Sequence, residues 1–148
     1  MINFYAEIKA RLPFKQKFVG QIMARIIKEL KIKKNFELTI LLVGDRKIRL
    51  LNKKYRHQDK VTDVLSFSQK EGRALVLPES EKKYLGDIVI CWPQIKRQAK
   101  KFKQTATREF SLLLIHGFLH LLGHEDDTRA NGLKMAKLQD KILAKIYD

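Results

Sequence analysis

Between Leu112 and Asp127 the chain reads LLLIHGFLHLLGHEDD. Three of its four histidines stand here, His116, His120 and His124, followed at once by Glu125, Asp126 and Asp127. Leu112 to Leu122 leaves almost no polar face, so the stretch reads as a buried helix. His116 and His120 are four apart and project from one face of such a helix, one turn above the other. Each imidazole needs a polar partner in so apolar a segment, and a shared metal ion supplies one. Gly123 then stops the helix, since the residue after a helix end usually needs positive φ. The chain can turn there and bring a third ligand from the polar residues just beyond. Two imidazoles on a rigid helix and one ligand on the following turn make a three-ligand centre with an open position. The plainer reading of either histidine alone is a core residue with a satisfied hydrogen bond. The zinc-peptidase pattern H-E-x-x-H is excluded, because Gly117 occupies the glutamate position.

The rest of the chain must hold that helix in place. Its 148 residues suit one domain, 1–148, with no internal repeat and no linker. Lys and Arg number 31 against 16 acidic residues, a net charge of +15, and 45% of the residues are hydrophobic. A folded globule with that surplus favours a polyanionic partner, nucleic acid first, although a basic surface also serves solubility alone. Cys91 stands alone, which rules out an intrachain disulfide and suits a reducing cytoplasm. No signal peptide opens the sequence, and Leu112 to Gly123 is too short to cross a bilayer, so no membrane partner is expected.

Taken in order, Ile2 to Ile8 reads as a strand, and Phe14 to Leu30 as an amphipathic helix built on Phe18, Ile22, Ile26 and Leu30. Phe36 to Val43 reads as a strand with a well-buried end. Asp45 is the expected N-cap of a short helix, Arg46 to Tyr55, packing through Ile48, Leu51 and Tyr55. Val64 to Phe67 and Leu85 to Trp92 read as further strands, with a loop or hairpin excursion over Lys70 to Lys83 between them. Pro93 opens a helix running to Phe102. Thr107 is the expected N-cap of the histidine helix, with Glu109 at its positive end. A last amphipathic helix, Thr128 to Tyr147, packs through Leu133, Met135, Leu138, Ile142 and Ile146. This order implies an α+β fold, an α/β sandwich in which a small mixed sheet of about four strands is covered by helices. The metal site then lies on a central helix and the turn after it.

HGFLHLLGHEDD, with LNKKYRHQDKVTDVLSF (Leu51 to Phe67) and LGDIVIC (Leu85 to Cys91), resembles the YbeY family of bacterial metal-dependent endoribonucleases. The resemblance runs over the whole chain in element order and is specific in these three blocks. It implies a one-zinc hydrolase of single-stranded RNA, acting in ribosomal RNA processing, in maturation of the small-subunit RNA 3′ end, and in ribosome quality control. The ribosome or its small subunit is then the implied partner. His116 and His120 match the family's first two ligands. Its third, commonly histidine, falls six residues after the second, at Asp126, and a carboxylate oxygen binds zinc at a similar distance. His124 is the rival third ligand, being the more usual ligand type and one residue beyond the glycine.

Arg56 matches an arginine that the family keeps near its metal, and is expected to clamp phosphate or to stabilise charge during cleavage. Asp63 and Ser66 match the same block, where Asp63 can equally cap a turn. Val61 and Ser68 stand where the family often has proline, a looser loop with no charged group lost. Lys53 and Lys54 beside Arg56, and Lys96, Arg97, Lys100, Lys101 and Lys103 on another side, are candidates for tracking an RNA backbone. Tyr55 and His57 offer stacking faces. With Gly117 in the peptidase position the general base has no assigned residue, neither Glu125 nor Asp127 being tied to the site. Two rival classes share these features: a metal hydrolase of peptides or amides, and a non-catalytic RNA-binding or ribosome-associated factor with a structural metal.

Overall fold

The computed structural model describes residues 4–8, 14–33, 35–69 and 83–147. In chain order the elements are β1 (Phe4–Ile8), α1 (Gln16–Glu29), β2 (Phe36–Val43), α2 (Asp45–Arg56), β3 (Val64–Ser68), β4 (Tyr84–Cys91), α3 (Trp92–Lys101), α4 (Ala106–Leu121) and α5 (Arg129–Tyr147). The excursion expected over Lys70 to Lys83 lies, save for Lys83, outside the described residues.

Among the described residues the sheet has four strands in the order β1-β2-β4-β3. β1 and β4 both run parallel to β2, and β3 pairs antiparallel with β4, so the sheet is mixed as expected. Alternate side chains of a strand face opposite ways, and here both sides are covered. Phe36, Leu38, Ile40 and Leu42 of β2, with Ile88 and Ile90 of β4, pack under α1, α3, α4 and α5. Val89 and Cys91 of β4, with Leu65 and Phe67 of β3, pack against Ile48 and Leu51 of α2 on the other side.

α4 is the central helix. Phe110, Leu114, Ile115, Phe118 and Leu119 are fully buried, and it packs against β3, β4, α3 and α5. Gly117 lets it approach the sheet: a Cβ there would stand 2.7 Å from Ile88 Cγ2 and 3.1 Å from Ser66 Oγ. The close approach is fastened by Ser66 Oγ, which donates to the Gly117 carbonyl at 3.0 Å. The absence of a peptidase glutamate therefore has a steric cause, since this position faces the sheet and has no room for a side chain.

Two expected caps fall elsewhere. Thr105, not Thr107, caps α4, its hydroxyl accepting from Arg108 N at 3.2 Å, while Thr107 lies within the first turn and its carbonyl accepts from Ser111 Oγ. Gly44 takes the N-cap position of α2, and Asp45 is the first helical residue. Asp45 instead accepts two hydrogen bonds from the Arg97 guanidinium, at 2.7 and 3.1 Å, joining α2 to α3. Leu133, expected in the core, is 63% exposed, whereas Met135 and Ile142 are buried and Leu138 and Ile146 pack at the core's edge.

Candidate metal centre

Leu122 is the C-cap of α4, and after it Gly123 takes φ +97° and its N–H meets the His120 carbonyl at 3.0 Å. His124 N bonds the Leu119 carbonyl at 3.0 Å, which completes a Schellman turn and reverses the chain. The turn carries Asp126 back over the face from which the two imidazoles project. His120 Nε2 lies 3.0 Å from His116 Nε2, and Asp126 Oδ2 lies 3.9 Å from His116 Nε2 and 3.7 Å from His120 Nε2. A tetrahedral zinc with bonds of about 2.0–2.1 Å sets its ligand atoms roughly 3.3–3.4 Å apart. The three separations bracket that value, so small side-chain adjustments fit this donor set to one such ion.

His124 is placed differently. Its backbone closes the Schellman turn and its exposed side chain lines a separate cavity of about 380 Å³ with Glu125, Asn131 and Lys134. Among the described residues the group with ligand atoms within 4.8 Å of one another is His116, His120 and Asp126. Asp127 accepts from Asn131 Nδ2 at 3.0 Å, and Glu125 lines His124's cavity. Neither carboxylate belongs to the imidazole group.

Burial pushes the His116 imidazole below its ordinary pKa, and the His120 ring acts in the same direction, against an opposing pull from Asp126. The neutral imidazole, the form with a free ring-nitrogen lone pair, is thereby favoured for a metal. Gln139 of α5 holds the other side of the ring, its amide 2.9 Å from His116 Nδ1. The sequence reading passed over Gln139, although a signal was present. It stands four residues after Met135 and three before Ile142, a polar group on the buried face of an amphipathic helix.

Arg56 ends α2, and His57 follows in the left-handed conformation, φ 58°. The guanidinium turns inward: Nη2 donates to the Ser66 carbonyl at 2.5 Å and Cζ sits 5.0 Å from the centre of the Phe67 ring. With Ser66, Ser68, His116 and His120 it lines one cleft of about 190 Å³. Arginine and imidazoles, sixty residues apart in sequence, thus share a wall. Lys53 and Lys54 are exposed outside that cleft. Lys53 lies 3.9 Å from Asp59 Oδ2, and Lys54 sits over the Tyr55 ring at 5.2 Å. Tyr55 is half-buried with its ring edge-on to Phe67 at 5.3 Å, so less of it is offered for stacking than the sequence suggests. Asp63 takes its turn-capping role, accepting from Val64 N at 2.7 Å.

The sequence model of the family described as endoribonuclease YbeY matches residues 3–147. The chain belongs to the YbeY family. A YbeY endoribonuclease of Sulfurihydrogenibium sp. (strain YO3AOP1) is 40% identical over 132 residues, 88% of this chain and 83% of its own length. That of Endomicrobium trichonymphae is 39% identical over 147 residues, 99% of this chain and 94% of its own. A solution structure of a Thermotoga maritima protein superposes with a TM-score of 0.62 at 26% identity, covering 99% of this chain and 89% of that one. YbeY proteins are named as endoribonucleases, hydrolases acting on RNA, and the expected α+β fold is the one observed. Among the described residues no helix is long and apolar enough to cross a membrane.

Proposed function

We propose that this chain is a metal-dependent, single-strand-specific endoribonuclease of ribosomal RNA processing, working in the cytoplasm on the small-subunit RNA 3′ end and in ribosome quality control. Its partner would be the ribosome or the small subunit. The observation that carries the reading is one cleft shared by His116, His120 and the Arg56 guanidinium, with the Asp126 carboxylate closing the imidazole pair.

His116, His120 and Asp126 would hold one zinc-type ion, the donor set being neutral nitrogen and carboxylate oxygen at suitable separations. Bound there, such an ion supplies Lewis acidity towards a phosphoryl oxygen and an attacking water. Arg56 binds and orients the phosphodiester: its fork is pre-set by the Ser66 carbonyl and by Phe67, so little ordering is needed when phosphate arrives. The fixed positive charge also opposes the negative charge that develops as the phosphodiester is attacked. Gly117 supplies no base. The general base has no assigned residue, and a positioned base is typically worth about 10²–10⁴ in rate, so an enzyme working without one would be slow. Lys53 and Lys54 would act at long range, drawing the RNA backbone towards the face that Arg56 terminates.

The test measures zinc content and cleavage of single-stranded RNA together on wild type and on His116→Ala, Asp126→Ala, His124→Ala and Arg56→Ala. The first two variants are expected to lose metal and cleavage, and His124→Ala to keep both. Arg56→Ala should keep metal and lose about 10²–10³ in rate, as for removal of a group that stabilises developing charge. A folded, zinc-loaded wild type that binds RNA and never cuts it would leave a binding factor instead.

A further inference from the structure

His116 stands between two clefts. Away from Arg56 lies a larger one, about 520 Å³, running along α4 between α3 and α5. His116 and Gln139 close one end, and Phe102 and Lys101 form the rim at the other. Glu109, which also lines it, is seven positions before His116 on the same helix, so the cleft extends roughly 10 Å from the imidazole pair at 1.5 Å per residue. Its volume lies within the usual range for small-molecule sites of nucleotide size.

Phe102 is 59% exposed at the C-terminal end of α3, where the left-handed Lys103 (φ 54°) turns the chain. Isolated exposed apolar residues are ordinary, and Leu50 and Leu133 are of that kind. Phe102 differs in position and company. It overlooks the cleft that His116 lines, and Lys101 Nζ sits 5.7 Å from its ring centre. Lys100, Lys101 and Lys103, its neighbours in sequence, are exposed. An aromatic face among cations at the mouth of a cleft is what single-stranded nucleic acid uses, bases stacking while the backbone follows the charge.

Polar groups of the cleft wall are already engaged with one another. Gln98 spends its amide donors on Asp63 Oδ2 at 3.3 Å and on Glu109 Oε1 at 2.9 Å, and its carbonyl accepts from Gln94 at 3.1 Å. The second Glu109 oxygen takes the Gln104 amide. The Arg97 fork is held by Asp45 and its Nε by the Gln94 side-chain carbonyl. Such a wall offers shape and a stacking face in place of base-edge donors, and so predicts binding with little sequence preference.

We propose that this α3–α4 cleft is a nucleotide subsite of the RNA groove, with Phe102 stacking on a base that flanks the phosphate held at Arg56 and the imidazoles. The inference rests on the function proposed above. The experiment measures Kd and KM for a short fluorescein-labelled single-stranded RNA on zinc-loaded wild type, Phe102→Trp, Phe102→Leu and Phe102→Ala, with zinc content and thermal midpoint recorded for each. Phe102→Ala is expected to weaken binding about 5- to 100-fold, the range of one lost base stack, with zinc content and midpoint unchanged. Phe102→Trp should bind at least as tightly as wild type, and Phe102→Leu nearly as poorly as Phe102→Ala. An RNA abasic at the stacked position should weaken wild type alone, leaving Phe102→Ala with no further loss. Unchanged Kd and KM in Phe102→Ala, or wild-type affinity in Phe102→Leu, overturns the subsite while wild-type cleavage keeps the nuclease reading intact. A wild type that neither binds nor cuts RNA overturns both.

Discussion

The Gln139 side-chain amide sits 2.9 Å from His116 Nδ1, nitrogen facing nitrogen. That pairing makes the amide the donor and puts the imidazole proton on Nε2, the atom directed at His120 and Asp126. A metal at Nε2 requires the opposite tautomer, with Nδ1–H donating to an acceptor. Gln139 supplies one by turning its amide end over end. Gln139→Leu, which keeps volume and removes the acceptor, is expected to lower zinc affinity about 10- to 100-fold, the usual effect of losing such an outer partner. Gln139→Glu retains an acceptor and should hold or raise affinity. Competition titration against a chromogenic chelator checks both, and equal affinities in the two variants would sink the idea.

Gly117 carries a structural prediction. A methyl group there must displace Ile88 Cγ2, 2.7 Å away, and crowd Ser66 Oγ at 3.1 Å. Both belong to strands that α4 packs upon, with little freedom to move aside. Gly117→Ala is expected to destabilise by about 1–3 kcal/mol, the range for overpacking, more than offsetting alanine's better helix propensity. Urea unfolding would read this as a lower midpoint at an unchanged slope.

Much of this arrangement was legible in the residues. The i, i+4 imidazoles and the helix-ending glycine are local features, and local geometry carries directly from sequence to structure; Asp126 came from the family register, with His124 beside it as the rival. β2 was legible because FELTILLV alternates at first and then, from Ile40, is continuously apolar, as the end of a strand covered on both faces is. The caps of α4 and α2 were not, since Thr105 and Thr107 are both sound cap residues and only packing decides the first turn. Leu133 misled because residue type outran position: two residues before Met135, it projects from the side of α5 opposite the buried Met135, Gln139 and Ile142 and faces water. The Arg97 fork looked free because its partner, Asp45, lies 52 positions away, a contact that no periodicity announces.

Cys91 gives a pH dependence. Its side chain is fully buried and donates to Asp45 Oδ1 at 3.3 Å. Burial pushes the thiol from its ordinary 9.0 up to about 11, with the Asp45 carboxylate adding to the rise. A folded-state pKa above the unfolded one contributes stability in full below pH 9 and loses it as pH climbs through about 11. Wild type is therefore expected to lose stability more steeply than Cys91→Ala over that interval, from denaturant midpoints taken along pH. At pH 8 the folded thiol should also react with a disulfide reagent only as fast as the protein opens, since the thiolate is the attacking species. Rapid labelling in native buffer would contradict this.

The reach of Asp126 depends on Gly123, and the two effects of altering that glycine can be separated. A Cβ on Gly123 meets nothing within 4 Å, so no neighbour resists it. Its φ of +97° does, because an L side chain in that region crowds the following carbonyl. Gly123→Ala is expected to cost about 1–2 kcal/mol of stability if the turn is kept. If the turn relaxes instead, the bonds from Gly123 N and His124 N to the end of α4 open and Asp126 swings off the imidazoles. Zinc affinity then falls while metal-free stability changes little. The combined result of a chelator titration and a metal-free melt distinguishes the two, and a variant unchanged in both would mean that the Schellman turn does not position the third ligand.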